Sequence, residues 1–166
     1  MAEINEIALQ RIEQAAREEA EELDLRGLGL HELPEEIRQL KKLRHLRLGY
    51  HSRKHFRLTT FNFLTELPEW LRELTQLQSL DLSSTNLTEL PEWLGQLTQL
   101  QSLNLSRTNL TELPEWLGQL TQLQRLDLSF NKLTELPEWL GQLTQLQSLN
   151  LSSNNLTELP EWLGGS

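Results

Sequence analysis

Leu97-Thr-Gln-Leu-Gln-Ser-Leu-Asn-Leu-Ser-Arg-Thr-Asn-Leu-Thr-Glu-Leu-Pro-Glu-Trp-Leu-Gly-Gln119 is one turn of a pattern that fills most of the chain. Pro68, Pro91, Pro114, Pro137 and Pro160 stand 23 residues apart, as do Trp70, Trp93, Trp116, Trp139 and Trp162. Residues 93–115 and 139–161 differ only at Arg107 against Ser153 and Thr108 against Asn154. Alternation in Leu80-Asp81-Leu82 predicts a short strand with leucines inward and Ser79, Asp81 and Ser83 outward. Past the turn, Leu87 and Leu90 return inward, and Pro91 opens a short helical turn over Glu92-Trp93-Leu94-Gly95-Gln96-Leu97. One such unit cannot bury its own leucines, so stability comes from stacking neighbours.

A period of 20–29 residues carrying L-x-x-L-x-L is a leucine-rich-repeat pattern. The units resemble the 23-residue bacterial and Roco-type repeats, also found in scribble-like proteins, over residues 20–163. The resemblance implies an α/β solenoid: short parallel strands on a concave face, short helical or 3-10 turns on a convex face, and an N-terminal capping helix. It also implies a buried asparagine ladder at the position held here by Thr85, Thr108, Asn131 and Asn154. Threonine supplies only part of that hydrogen bonding. Six units give a sheet about 30 Å wide.

The two ends differ. Ile4, Ile7, Ala8, Ile12, Ala15 and Ala16 share one face of a helix expected over residues 4–20, and residues 1–22 form a cap resembling that of bacterial Roco-type chains. Repeats occupy residues 23–163, and residues 164–166 are a Gly-Gly-Ser tail. No capping segment follows the last unit, so Leu149, Leu151, Leu156 and Leu159 are expected to be exposed and to drive end-to-end homodimerisation. Near-identical units with an uncapped end also fit a consensus-designed or truncated array.

Composition removes most chemistry. Cysteine is absent, which excludes disulfides, thiolate zinc sites and the catalytic thiol of bacterial ubiquitin ligases with similar repeats. No phosphate-binding Gly-rich loop exists, so the GTPase accompanying such repeats in Roco proteins is missing. His51 and His55 lack a nearby acid to complete a metal set, and repeated pairs such as Glu89 and Glu92 read as solubilising. No enzyme activity, cofactor or metal is expected. No apolar run is long enough to cross a membrane, and Met1-Ala2-Glu3-Ile4-Asn5-Glu6 has no leader character, which favours the cytoplasm.

One irregularity interrupts the period. Pro34 and Pro68 are 34 residues apart, so 11 residues are inserted within 49–63, a stretch holding the single tyrosine and three of four phenylalanines. Phe56, Leu58, Phe61 and Phe63 alternate with Arg57 and Asn62 as in a hairpin or a loop folded on its neighbour. Residues 37–65 contain no acid and eight Lys or Arg, so the net charge of −9 divides into +8 there and −17 elsewhere. Such a basic lobe suits an acidic protein partner, whereas the acidic whole disfavours nucleic acid. Loops set on rigid scaffolds commonly carry function, which singles out Arg47, Tyr50, Arg53, Lys54, Phe56 and Arg57. A second cluster, Arg107, Arg125, Asp127 and Phe130, departs from the small neutral residues of the concave row. Arginine with an aromatic is a common interface anchor, although Arg125 could instead pair with Asp127 or Asp81. The tryptophan stripe reads as cover for leucines between coils. The functional reading is a non-catalytic protein-interaction module, and the competing one an engineered scaffold without a natural ligand.

Overall fold

Leucines at every second strand position leave each strand one buried face, which only a neighbouring coil can extend. In the computed structural model, which describes residues 2–49, 62–87 and 89–162 with side chains from residue 6, that extension runs the length of the chain. Helix α1 (Ala2–Glu18) is followed by six three-residue strands: β1 (Glu22–Asp24), β2 (His45–Arg47), β3 (Ser79–Asp81), β4 (Ser102–Asn104), β5 (Arg125–Asp127) and β6 (Ser148–Asn150). They form one parallel sheet in chain order, with Leu23, Leu46, Leu80, Leu103, Leu126 and Leu149 in register. All but Leu149 are no more than 4% exposed.

On the convex side, five-residue 3-10 turns such as Glu92–Gln96 and Glu115–Gln119 follow Pro34, Pro68, Pro91, Pro114 and Pro137. The prolines stand one residue before the turn, as caps with φ near −68° at Pro68 and Pro91, not as its first residue. Their fixed φ suits that position, and each carbonyl accepts the first turn bond, as in Leu94 N–H to Pro91 at 3.1 Å. Trp116 is buried, and Trp70, Trp93, Trp139 and Trp162 pack half-buried on the core. A Cβ on Gly118 would come within 3.4 Å of the Trp139 ring, so that indole lies over the glycine one coil earlier. The tryptophans are structural cover.

The cap differs in detail from expectation. Ala8, Ile12 and Ala15 are buried against the first coil, but Ile7 is 42% exposed, because the contact stripe follows the 8, 12, 15 spacing. The helix ends at Glu18, and Glu22 already belongs to β1. At the far end Leu146, Leu149, Leu151 and Leu156 are only partly buried, while their counterparts one coil earlier, Leu123, Leu126, Leu128 and Leu133, are at most 1% exposed. Leu159 is 65% exposed.

The turn after each strand is tied by the ladder position. Asn131 Nδ2 donates to the carbonyls of Leu105 and Leu128 at 3.0 and 2.9 Å, and Oδ1 accepts from the N–H groups of Thr108 and Leu110, so one side chain joins two coils. Asn154 repeats this between Leu128 and Leu151. The hydroxyls of Thr85 and Thr108 donate to carbonyls in their own coil, Leu82 at 2.8 Å and Leu105 at 2.7 Å, and that of Thr108 also lies 3.3 Å from Asn131 Oδ1 in the next coil.

Asn62 is a fifth ladder member and its third asparagine. It is 2% exposed, donates to Leu25 and Leu48 at 2.9 and 2.8 Å, and accepts from Leu30 N–H at 2.9 Å. Asn62 therefore belongs to the coil and not to a hairpin, and the register resumes there, with Leu64 fully buried. Gly49, where the chain leaves the coil, is itself buried. A Cβ there would meet Asp81 Oδ1 at 2.5 Å and the Ser83 carbonyl at 2.7 Å, so only glycine fits beneath the next turn.

Replacing Asn62 with Ala orphans two carbonyls and an N–H in the core, and is expected to destabilise by about 2–3 kcal/mol. The exposed Asn86→Ala should cost less than about 0.5 kcal/mol. Urea denaturation of both variants checks this, and equal losses would show that residue 62 is not a coil-joining group.

Candidate concave-face interaction site

The outward strand positions and the turn after them form rows across the coils. At the N-terminal end the middle row alternates in charge: Asp24, Arg47 and Asp81 are register neighbours. Arg26 folds back on Asp24 with bonds of 2.9 and 2.7 Å. Burial pushes the Asp24 carboxyl up, but hydrogen bonds and charge from Arg26, with charge from Arg47, outweigh it and hold Asp24 below the ordinary carboxylate range. Arg47 thus lies between two carboxylates.

Four of the eight cations of the basic segment are paired by the fold. Lys42 bonds Glu19 at 2.8 Å, Arg38 bonds Glu73 at 3.0 Å and Glu35 at 2.7 Å, Lys41 lies 3.6 Å from Glu73, and Arg44 lies 3.8 Å from Glu21. Glu19 is held below its usual range first by the Lys42 hydrogen bond and then by its charge; Glu73 is lowered mainly by the Arg38 hydrogen bond. The charge lobe of the linear sequence is therefore not a free basic surface at these four residues. Tyr50, Arg53, Lys54, Phe56 and Arg57 lie outside the described residues, as do His51 and His55. Phe63 stacks on His31 with ring centres 5.5 Å apart.

Coils four to six, residues 93–161, can be compared position by position. They vary at Ser102/Arg125/Ser148, Asn104/Asp127/Asn150, Arg107/Phe130/Ser153, Thr108/Asn131/Asn154 and Asn109/Lys132/Asn155, and nowhere else. One of these is the buried ladder position; the other four lie on the outward side of the strand or on the exposed turn. Apart from the ladder residue, variation is thus confined to the concave face and its rim.

At that rim the structure brings Arg107 and Phe130 together. The Arg107 guanidinium lies 4.0 Å from the centre of the Phe130 ring, and Phe130 is 49% exposed. Such contacts are worth about 0.5–1 kcal/mol in solvent. Both residues occupy a turn position that requires positive φ, 56° at each, held in other coils by Gly27, Ser84 and Ser153. For a non-glycine residue that conformation costs about 1–2 kcal/mol. Asp127 Oδ1 is engaged in the turn, accepting from Ser129 N–H at 2.9 Å and Oγ at 2.6 Å. Arg125 is exposed on β5 and, among the described residues, forms no ion pair with Asp127 or Asp81. Sequence reasoning named these four residues but missed Lys132, exposed two residues after Phe130, which a unit-by-unit comparison would have found.

Other surfaces offer less. A groove of about 620 Å³ beside α1 is lined by Leu9, His31, Glu35, Glu66 and Trp70 among others, but nothing in it is arranged for chemistry. Among the described residues no group of three His, Cys, Asp or Glu could hold a metal, and no helix is long and apolar enough to cross a membrane.

Residues 54–128 and 92–165 each match a leucine-rich repeat region family, together covering most of the chain. The chain belongs to the leucine-rich repeat family. Among solved structures it is similar to a leucine-rich-repeat protein of Leptospira interrogans, with 41% identity and a TM-score of 0.77 over 91% of this chain and 36% of that one. It is also similar to the leucine-rich-repeat domain of a Shigella effector, at 26% identity and TM-score 0.66, covering 93% of this chain and 59% of that one. The ectodomain of the Arabidopsis receptor kinase HAESA, solved with a peptide hormone, matches at 34% identity and TM-score 0.61, over 80% of this chain and 22% of that one. The chain therefore spans about a third of the Leptospira protein. No curated protein matches it. Leucine-rich-repeat domains generally mediate protein–protein interaction and are generally not enzymes.

The lowered carboxyls set a pH response. A group with a depressed folded pKa contributes stability above its unfolded pKa and loses it as pH falls through the folded value. Asp24 should titrate below 3.8, and Glu19 and Glu73 below 4.5, so stability of the first coils should hold above about pH 5 and decline beneath the ordinary carboxylate range. NMR titration of the three carboxyls checks this, and ordinary midpoints would refute the pairing.

Proposed function

We propose that the chain is a non-catalytic interaction module that binds a protein partner on the concave face around Arg107, Arg125 and Phe130, with the insertion at 50–61 as a second contact. The single observation supporting this is that units otherwise alike differ only along that face, apart from the ladder residue. Near-copies keep the scaffold constant; differences confined to an exposed surface have no stacking role to explain them. An exposed aromatic beside a guanidinium is the composition of an interface anchor. Cytoplasmic residence accompanies this reading.

The competing reading, an engineered consensus scaffold with no natural ligand, draws on the same near-identity: two differences between residues 93–115 and 139–161. One variant separates the two. Arg125→Ser, Asp127→Asn, Phe130→Ser and Lys132→Asn together with Arg107→Ser give coils four and five the outward residues of coil six. The module reading expects an unchanged melting temperature and at least about tenfold weaker capture of its partner. The scaffold reading expects no partner for either form.

End-to-end pairing of two copies is the further partner proposed, supported by Leu159 and the half-buried Leu149, Leu151 and Leu156. The first coil of each copy is covered by α1, so pairing would be between last coils, an isologous contact. Light scattering at micromolar concentration should give twice the 19.4 kDa mass, and Leu159→Lys should return it to one; a monomer throughout refutes it.

A further inference from the structure

From residue 74 onward the chain holds ten carboxylates, at Asp81, Asp127 and eight glutamates, and only three cations, Arg107, Arg125 and Lys132. All three stand within coils four and five. Every described ion pair lies between residues 13 and 73, so none of these three cations has a carboxylate partner among the described residues. That is the reverse of the first coils, where Arg26, Arg38, Lys41, Lys42 and Arg44 each meet an acid. Asp127, the acid nearest in sequence, has one oxygen engaged by Ser129.

Resting on the concave-face reading above, we infer that the partner is an extended acidic peptide segment, with side-chain carboxylates alternating with an aromatic or large apolar residue. The apolar residue seats on Phe130, which Arg107 covers on one side. One carboxylate meets Arg107, and another meets Arg125. Arg107 stands on the turn after β4 and Arg125 on β5 of the next coil, so a peptide with several acidic side chains can offer each guanidinium its own carboxylate. Held at the rim by their turn, Arg107 and Phe130 are positioned before binding, which lowers the ordering cost. The glutamates recur in every coil, so from residue 74 onward it is the three cations that make these two coils the ones suited to the same peptide.

The test uses the full chain and peptides bearing one and the same uncharged fluorophore, with both termini blocked so that only side chains carry charge. One is built of Asp-Phe-Asp-Gly units, one of Asn-Phe-Asn-Gly, and one of Asp-Ala-Asp-Gly. Anisotropy should give a Kd below about 1 mM for the first and at least about tenfold weaker binding for the other two. Raising salt from about 0.05 M to about 0.3 M should weaken the first. Phe130→Gly, which suits the positive φ, and Arg107→Glu should each lose about tenfold or more while the melting temperature is held. Equal binding of the Asn peptide that still depends on Phe130 would overturn the acidic partner and leave the concave site standing. Binding insensitive to Phe130 and Arg107 would overturn both, and no binding of the first peptide at about 1 mM would overturn the inference.

Discussion

A leucine in this chain is buried by the coil that follows it. Leu126 is 1% exposed with β6 beside it, whereas Leu149, the same residue one unit later, is only partly buried. Burying a leucine is worth about 1.5–3 kcal/mol, and each interior unit stacks several, so inter-coil contact holds the molecule together and no single coil is a stable object. Everything else is arranged around that contact. Glycine at 49 lets the next turn approach, the tryptophans close the convex seam, and ladder asparagines satisfy carbonyls that stacking removes from water.

Because the stacking is between neighbours, the fold was legible from periodicity. A constant spacing of proline, tryptophan and leucine fixes strand, turn and convex 3-10 segment together, and register follows since equivalent residues pair. Where the period broke, legibility failed. Asn62 sits in an aromatic run, Phe61-Asn62-Phe63, and alternation there suggested a hairpin. Its actual role depends on hydrogen bonds to residues 37 and 14 positions earlier, which no local pattern encodes. Ile7 misled for a simpler reason: the covering stripe of α1 is narrow, and a residue one position from Ala8 falls outside it.

Charge was the least legible quantity. Along the sequence residues 37–65 are purely basic, but a solenoid places residues about one period apart side by side. Lys42 meets Glu19, 23 residues earlier, and Arg38 meets Glu73, 35 later across the insertion. At Arg38, Lys41, Lys42 and Arg44, segregation in sequence becomes pairing in space, mostly across coils on the exposed flank. Such pairs are each worth about 0.2–1 kcal/mol, so their main effect is to cancel a field rather than to build stability. The same rule explains why Arg107, Arg125 and Lys132 stay unpaired. One period before and after them stand Ser84, Phe130, Ser102, Ser148, Asn109 and Asn155, none of them acidic.

The turn row carries this division of labour furthest. Its geometry is imposed by stacking: Ser84, Arg107, Phe130 and Ser153 all have φ between 54° and 56°, whatever the side chain. Glycine would relieve the strain at any of them and is used at Gly27. Filling two adjacent turns with arginine and phenylalanine therefore works against local conformational preference, and the guanidinium to ring contact recovers at most about 1 kcal/mol of it. Burial cannot account for the choice, since Phe130 is half exposed. What remains is the surface the pair presents: an aromatic face and a cation fixed at the mouth of the concave sheet, on a backbone whose neighbours hold it in place. Strain at an exposed aromatic, in an array whose other exposed differences share that face, points to recognition as the property for which these two turns depart from their copies.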